Sequence, residues 1–228
     1  MKILALDTST EVCSIALQIG DEVVARFDDS GQKNTDIILP LIDQLMAEAG
    51  LKPQALDAIA FARGPGSFTG VRVATGIAQG IAFAADLPVA AISTLAMLAQ
   101  GAYEATGQSR ICTINDARMK EVYASAYEFD SAGRAAEVLA ERVCKPEALE
   151  ALTWNDGLLV GTGWGAYGDK LESLLSATQF KIDQGIKPEA RYLLSIAKGM
   201  QERGELVSAE QALPVYLRNN VAKKKGER

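Results

Sequence analysis

Histidine is absent from all 228 residues, and that single count removes whole classes of chemistry. A His-ligated metal centre, a Ser-His-Asp triad and a Cys-His dyad each need an imidazole to hold the metal or pass a proton near neutral pH. The three cysteines, Cys13, Cys112 and Cys144, are odd in number and far apart, which fits neither a disulfide framework nor a Cys-x-x-Cys metal site. They read as buried reduced thiols. Two stretches remain that could do chemistry. In Leu4-Ala5-Leu6-Asp7-Thr8-Ser9-Thr10 an apolar run ends in an acid and three hydroxyls. The hydroxyls and turn amides could bind an anion, and Asp7 could hold Mg²⁺ through water. Equally, Asp7 and Thr10 could do no more than satisfy the turn's own backbone donors. The second stretch is Arg63-Gly64-Pro65-Gly66-Ser67-Phe68-Thr69-Gly70-Val71-Arg72. Gly64, Gly66 and Gly70 permit close backbone approach, Ser67 or Thr69 can cap the next helix, and a helix start favours an anion. It is not a P-loop, because the required lysine is missing. A tight strand-to-helix turn explains the same residues without a ligand.

The elements that must position these stretches fit an ordinary globular chain, 48% hydrophobic and 23% charged. Its length suits one large domain or two of about 110 residues. No apolar run approaches the ~20 residues that span a bilayer. The opening Met1-Lys2-Ile3-Leu4-Ala5-Leu6-Asp7 lacks the apolar core of a signal peptide, so the expected location is cytoplasmic, with no membrane contact. A net charge of −6 argues against gripping nucleic acid alone, since such affinity comes from cations that neutralise phosphates. The exception is Lys223-Lys224-Lys225-Gly226-Glu227-Arg228, read as a solvated tail or, alternatively, one that touches RNA within a larger complex.

Alternation predicts three short strands, Ile3 to Asp7, Val12 to Ile19 and Glu22 to Phe27, as an antiparallel meander. A helical period follows from about Thr35 to Ala49, with Pro40 expected to kink it. Then come a strand (57–62), the glycine-rich loop, a helix (69–85), a strand (88–92) and a helix from Thr94, giving βββαβαβα. From Arg110 the order returns: strands at 111–115, 122–129 and 137–143, a helix at Pro146 to Leu152, a strand at 158–161 and a helix at 166–175. A strand at 179–182 and a helix at 189–202 complete it. Asp7 answers to Asp116, Glu11-Val12-x-x-x-Ala16 to Glu121-Val122-x-x-x-Ala126, and Gly64-Pro65-Gly66 to Gly161-Thr162-Gly163. Their shared order points to an internal duplication. The expected subdomains are 1–106, bearing the partner-binding helices, and 107–228, with the helix near 189–203 a candidate to pack back on the first.

Two such α/β units resemble the actin, Hsp70 and sugar-kinase (ASKHA) superfamily, which holds a nucleotide between its halves. There, a strand ending in Asp before a hydroxyl-rich turn faces the phosphates. The chain is more specifically similar to the TsaB (YeaZ) family. Four blocks carry that resemblance: Ile3-Leu4-Ala5-Leu6-Asp7-Thr8-Ser9-Thr10, Gly64 to Arg72, Asp116-Ala117-Arg118-Met119-x-Glu121-Val122-Tyr123 and Pro214-Val215-Tyr216-Leu217-Arg218-Asn219-Asn220. The resemblance implies an accessory subunit in threonylcarbamoyladenosine (t6A) formation. It would bind a catalytic TsaD-type paralogue that modifies adenosine 37 of tRNAs reading ANN codons. A TsaE-type ATPase would join them, and tRNA would be reached only through the complex. TsaD-type paralogues carry a metal-binding histidine pair on the first helix after the meander, and Gln32 to Pro40 here has none. No catalytic residue, metal or cofactor is therefore expected. Asp7, Thr8, Ser9, Thr10, Gly64, Gly66, Ser67, Thr69 and Gly70 would form at most a vestigial nucleotide or anion site.

In this family the first two helices form a helix-bundle interface. Ile37, Ile38, Leu39, Leu41, Ile42, Leu45 and Met46 exceed one core-facing stripe, which suggests a second buried face. Gly76-x-x-x-Gly80-x-x-x-Ala84 lets another helix approach closely, or else packs on the chain's own sheet. The expected partner interface is Ile38, Leu41, Ile42, Leu45, Met46, Gly76 and Gly80, with Leu45 and Ile42 its hot spots. Alone, the chain would form a two-fold homodimer through the same surface. The competing reading is a nucleotide-dependent enzyme of the kinase-like superfamily, with Asp116 arguable as its base. A peptidase ranks last, since without histidine only a Ser-Lys or Asp dyad remains.

Overall fold

The structure is a computed structural model, described over residues 1–149, 154, 156–175 and 179–218. The basic tail, and with it Asn219 and Asn220, lies outside the described residues. Strands β1 (Lys2–Asp7), β2 (Cys13–Ile19) and β3 (Glu22–Asp28) form the expected meander. After helix α1 (Asn34–Glu48), strand β4 (Ala58–Ala62) adds parallel to β1, helix α2 (Phe68–Ala85) follows, and β5 (Val89–Ile92) adds parallel to β4. The sheet order is β3-β2-β1-β4-β5, and helix α3 (Thr94–Thr106) leaves its far end.

The second half repeats this plan with β6 (Arg110–Asp116), β7 (Val122–Phe129), β8 (Ala135–Cys144), β9 (Asp156–Val160), helix α4 (Gly163–Leu175) and β10 (Gln179–Asp183). Its order, β8-β7-β6-β9-β10, copies the first sheet strand for strand. The chain therefore has the α/β architecture of duplicated units. One element departs from the plan. Of the helix expected at Pro146 to Leu152, residues 150–152 lie outside the described residues, and the described part is a single 3-10 turn, Pro146–Ala148, followed by extended backbone at Leu149. Leu149 is buried with Leu139, Leu159 and Leu171, so tertiary packing overrides local helix propensity there.

Strand alternation explains the layering. Leu4 and Leu6 of β1, with Ile59 and Phe61 of β4, face α1 and α2 through Ile38, Ile42, Leu45, Ala74 and Ala78. Ile3, Ala5, Ala60 and Ala62 face the other way, against Met97 of α3 and Tyr192, Leu193, Leu194 and Ala197 of helix α5 (Arg191–Glu202). Both central strands are thus buried on two sides and read as near-continuous apolar runs. The opposite side of α3, through Leu95, Leu98, Ala99 and Ala102, packs on Ile111, Tyr127 and Leu158 of the second sheet. Helix α1 runs through Pro40 as one element, anchored on either side of it by Ile38 and Ile42.

Beyond α5 the chain becomes a strap across the molecule. Val207 and Val89 exchange backbone hydrogen bonds of 2.8 and 2.9 Å, and a 3-10 turn at Ala209–Gln211 follows against α2. Gln79 of α2 donates to Ala212 O at 3.1 Å, and Val215 N donates to Arg63 O at 2.9 Å. Arg218 then reaches the second half, pairing with Glu121 at 2.6 Å and donating to Ala117 O at 3.0 Å. Among the described residues no helix is long and apolar enough to cross a membrane.

Candidate functional site

The two chemistry-bearing stretches meet, and they meet closely. Ser9 O accepts from Ser67 N at 2.7 Å, and the Thr8 hydroxyl donates to Gly70 O at 2.7 Å. A Cβ added at Gly66 would run into Ser9 O, and one at Gly70 into Thr8 O. These glycines therefore serve contact between the chain's own turns. Ser67 caps α2 by accepting from Gly70 N at 3.4 Å, while Thr69 is exposed. Gly64 sits at φ +97, in the left-handed region that favours glycine, and its carbonyl accepts from Thr94 N. Thr94 also donates its hydroxyl to Ser9 Oγ at 2.9 Å. Asn34, at the start of α1, donates to the carbonyls of Thr10 at 3.2 Å and Val12 at 3.3 Å. An Asn opening a helix is a recognisable signal, and Asn34 and Thr94 are the tethers that sequence reasoning missed.

Asp7 is fully buried. One carboxylate oxygen accepts from Ser9 N at 2.7 Å, and the other has no hydrogen-bond partner among the described residues. Burial pushes its pKa up from 3.8 to about 6, against the lowering effect of the Ser9 hydrogen bonds. Asp116 closes β6 in the same way and accepts from Arg118 N at 2.8 Å, as Asp7 accepts two residues on. It also takes the Tyr167 hydroxyl at 3.0 Å. The turn that follows is strained, since Arg118, Met119 and Lys120 all have left-handed backbone, with φ of 60, 56 and 64. Arg118 bridges Asp116 in its own half and Glu11 in the other, at 3.2 and 3.1 Å. Gly161, with φ +106, takes the place of Gly64, and Thr162 accepts from Asp116 N at 3.0 Å.

Burial pushes the Cys13 and Cys112 thiols up to about 12, leaving both as poor nucleophiles at neutral pH. Among the described residues, no group of three or more His, Cys, Asp or Glu side chains could hold a metal ion.

The residues expected at a partner interface divide in two. Ile38, Ile42, Leu45 and Met46 belong to the chain's own core, with Leu45 only 2% and Ile42 7% exposed, and Leu41 packs partly buried beside them. Apart from Leu39, the surplus of apolar residues on α1 is thus absorbed by the first sheet and α2, and the two proposed hot spots are core residues. Gly76 and Gly80 lie instead on the exposed face of α2, where an added Cβ would meet nothing within 4 Å. Leu39 of α1 and, on α2's own exposed face, Phe68 and Phe83 are exposed apolar residues, Phe83 to 74%. Their helical spacing from Gly76 and Gly80 was the available signal, outweighed by the denser apolar stretch on α1.

The chain matches the family model described as TsaD: tRNA N6-adenosine threonylcarbamoyltransferase over residues 29–225. It is 42% identical to the tRNA threonylcarbamoyladenosine biosynthesis protein TsaB of Haemophilus influenzae, covering 99% of this chain and 97% of that one. It is likewise 42% identical to the TsaB protein of Escherichia coli, over 99% and 98%. Among solved structures it resembles YeaZ from Pseudomonas aeruginosa, with a TM-score of 0.84, 42% identity and coverage of 95% of this chain and 99% of that one.

Proposed function

The chain belongs to the TsaB family of tRNA threonylcarbamoyladenosine biosynthesis proteins, and on that footing we propose that it is the non-catalytic partner of a TsaD-type transferase in t6A formation. The observation that carries this reading is the bare face of α2. Gly76 and Gly80 leave a shallow apolar trough, bordered by exposed Phe83, that no part of the described chain fills. Large side chains left in water beside small ones form a surface to which another helix can come close. The match to the TsaD family model supports common descent with the transferase, and the absence of histidine supports a division of labour in which the paralogue holds the metal. In the same reading a TsaE-type ATPase joins the pair, and tRNA is reached through the complex in the cytoplasm. Without its paralogue the chain covers the face with a second copy of itself.

A nucleotide-dependent enzyme is the second reading, and the buried, half-unpartnered Asp7 is what favours it. Against it, donors at the start of α2 are already taken within the chain, Ser67 N by Ser9 O and Gly70 N by the Ser67 hydroxyl. Calorimetric titration with the TsaD-type paralogue and, separately, with Mg-ATP decides between the two. Binding of the paralogue that is lost on Gly80→Leu, with no heat from ATP, is the expected result. ATP binding without paralogue binding would sink the partner reading.

A further inference from the structure

We propose that the energetic centre of docking is a cluster completed by the C-terminal strap, Phe68, Arg72 and Tyr216, and that it receives an apolar helix carrying a carboxylate. The proposal rests on the partner reading above and deepens it. Phe68 and Tyr216 are 63% and 45% exposed, with ring centroids 6.3 Å apart and planes inclined by 37°. The Arg72 guanidinium carbon lies 3.3 Å from the Phe68 ring centroid and 4.8 Å from that of Tyr216. One arm of the guanidinium donates to Phe68 O at 3.1 Å, which fixes the group against both rings. A cation already held in place loses little freedom when a partner arrives.

Arg72 is the only charged residue in the sequence of α2. Among the described residues no carboxylate pairs with it, whereas ten other cationic side chains each have a carboxylate partner.

 The helix therefore offers one fixed positive charge and no other of its own, and a carboxylate is the group that complements it. Aromatic and arginine side chains at the centre of a desolvated patch are where interface energy concentrates. At the 3.6-residue repeat, Phe68, Arg72, Gly76 and Phe83 share one face of α2, and the strap extends it with Leu213, itself exposed. The partner segment is accordingly apolar along the glycine trough and acidic where it passes Arg72.

The test is titration of the full chain with the TsaD-type paralogue at low and high salt. Phe68→Ala and Tyr216→Ala should each weaken binding at least tenfold while leaving the urea midpoint of the free protein unchanged. Arg72→Gln should weaken binding and flatten its salt dependence. Arg72→Glu should weaken it further, and lysine in place of one paralogue carboxylate should restore at least tenfold. Wild-type binding with both alanine variants within twofold of it would overturn this placement alone. Failure of every lysine exchange to rescue Arg72→Glu would overturn the carboxylate. No binding by the wild type would sink the docking reading itself, and this placement with it.

Discussion

Gly70 and Gly80 stand on one helix, and the space beside them is opposite in kind. A Cβ at Gly70 would collide with Thr8 O, whereas one at Gly80 would meet nothing. Gly70→Ala should therefore cost ~1–3 kcal/mol as an overpacked contact. Gly80→Ala should stabilise the free protein by ~0.5–1 kcal/mol, because alanine is the better helix former. Urea unfolding of the two variants checks both signs. Asp7 makes a second prediction, about pH. Its folded pKa, about 6, lies above its ordinary 3.8, so between those values the native state binds the extra proton. Stability from this group is therefore present at low pH and is lost as pH rises through 6, by about 3 kcal/mol in all. Asp7→Asn should remove that loss, so that the variant gains on the wild type between pH 4 and 7 in urea unfolding.

At the scale of elements, the strained turn between β6 and β7 is held from outside. Arg218 donates to Ala117 O and pairs with Glu121, and both side chains are largely removed from water. Arg218→Ala should cost about 1.5–3 kcal/mol, the range for hydrogen bonds to charged groups. It should also speed amide exchange at residues 117–121 ahead of the sheets, which exchange mass spectrometry would resolve. Much of this architecture was legible in the sequence, because strand alternation and helical period are local signals. Asp7 and Asp116 announced the repeated turn, and each accepts a backbone N–H two residues on in the structure. The burial of Ile42 and Leu45 was not legible, because an apolar stripe records that a face is covered and not by what. The extended backbone at Leu149, where a helix was expected, has a related reason, as Leu149 answers to distant partners in the second sheet's core. The Phe68–Arg72–Tyr216 cluster was invisible because Tyr216 is far in sequence from Phe68 and Arg72.

Taken whole, the two halves are alike in strand order, and each sheet has one face closed by residues from the other half: α3 packs on Ile111, Tyr127 and Leu158 of the second. The second sheet's cluster around Ile114 and Leu159 draws on residues of the second half alone. The first sheet is completed from far away, with Tyr192, Leu193, Leu194 and Ala197 of α5 covering Ile3, Ala5, Ala60 and Ala62. A fragment of residues 1–106 should thus unfold without a cooperative transition, and joining residues 187–218 to it should restore one, as circular dichroism in urea would read. The order of synthesis on the ribosome runs against this order of packing. The first half emerges complete in sequence but bare on one side, and it must wait for the last segment of the chain to be translated before its core can close. During that interval the nascent protein presents an apolar sheet face to whatever chaperones meet it.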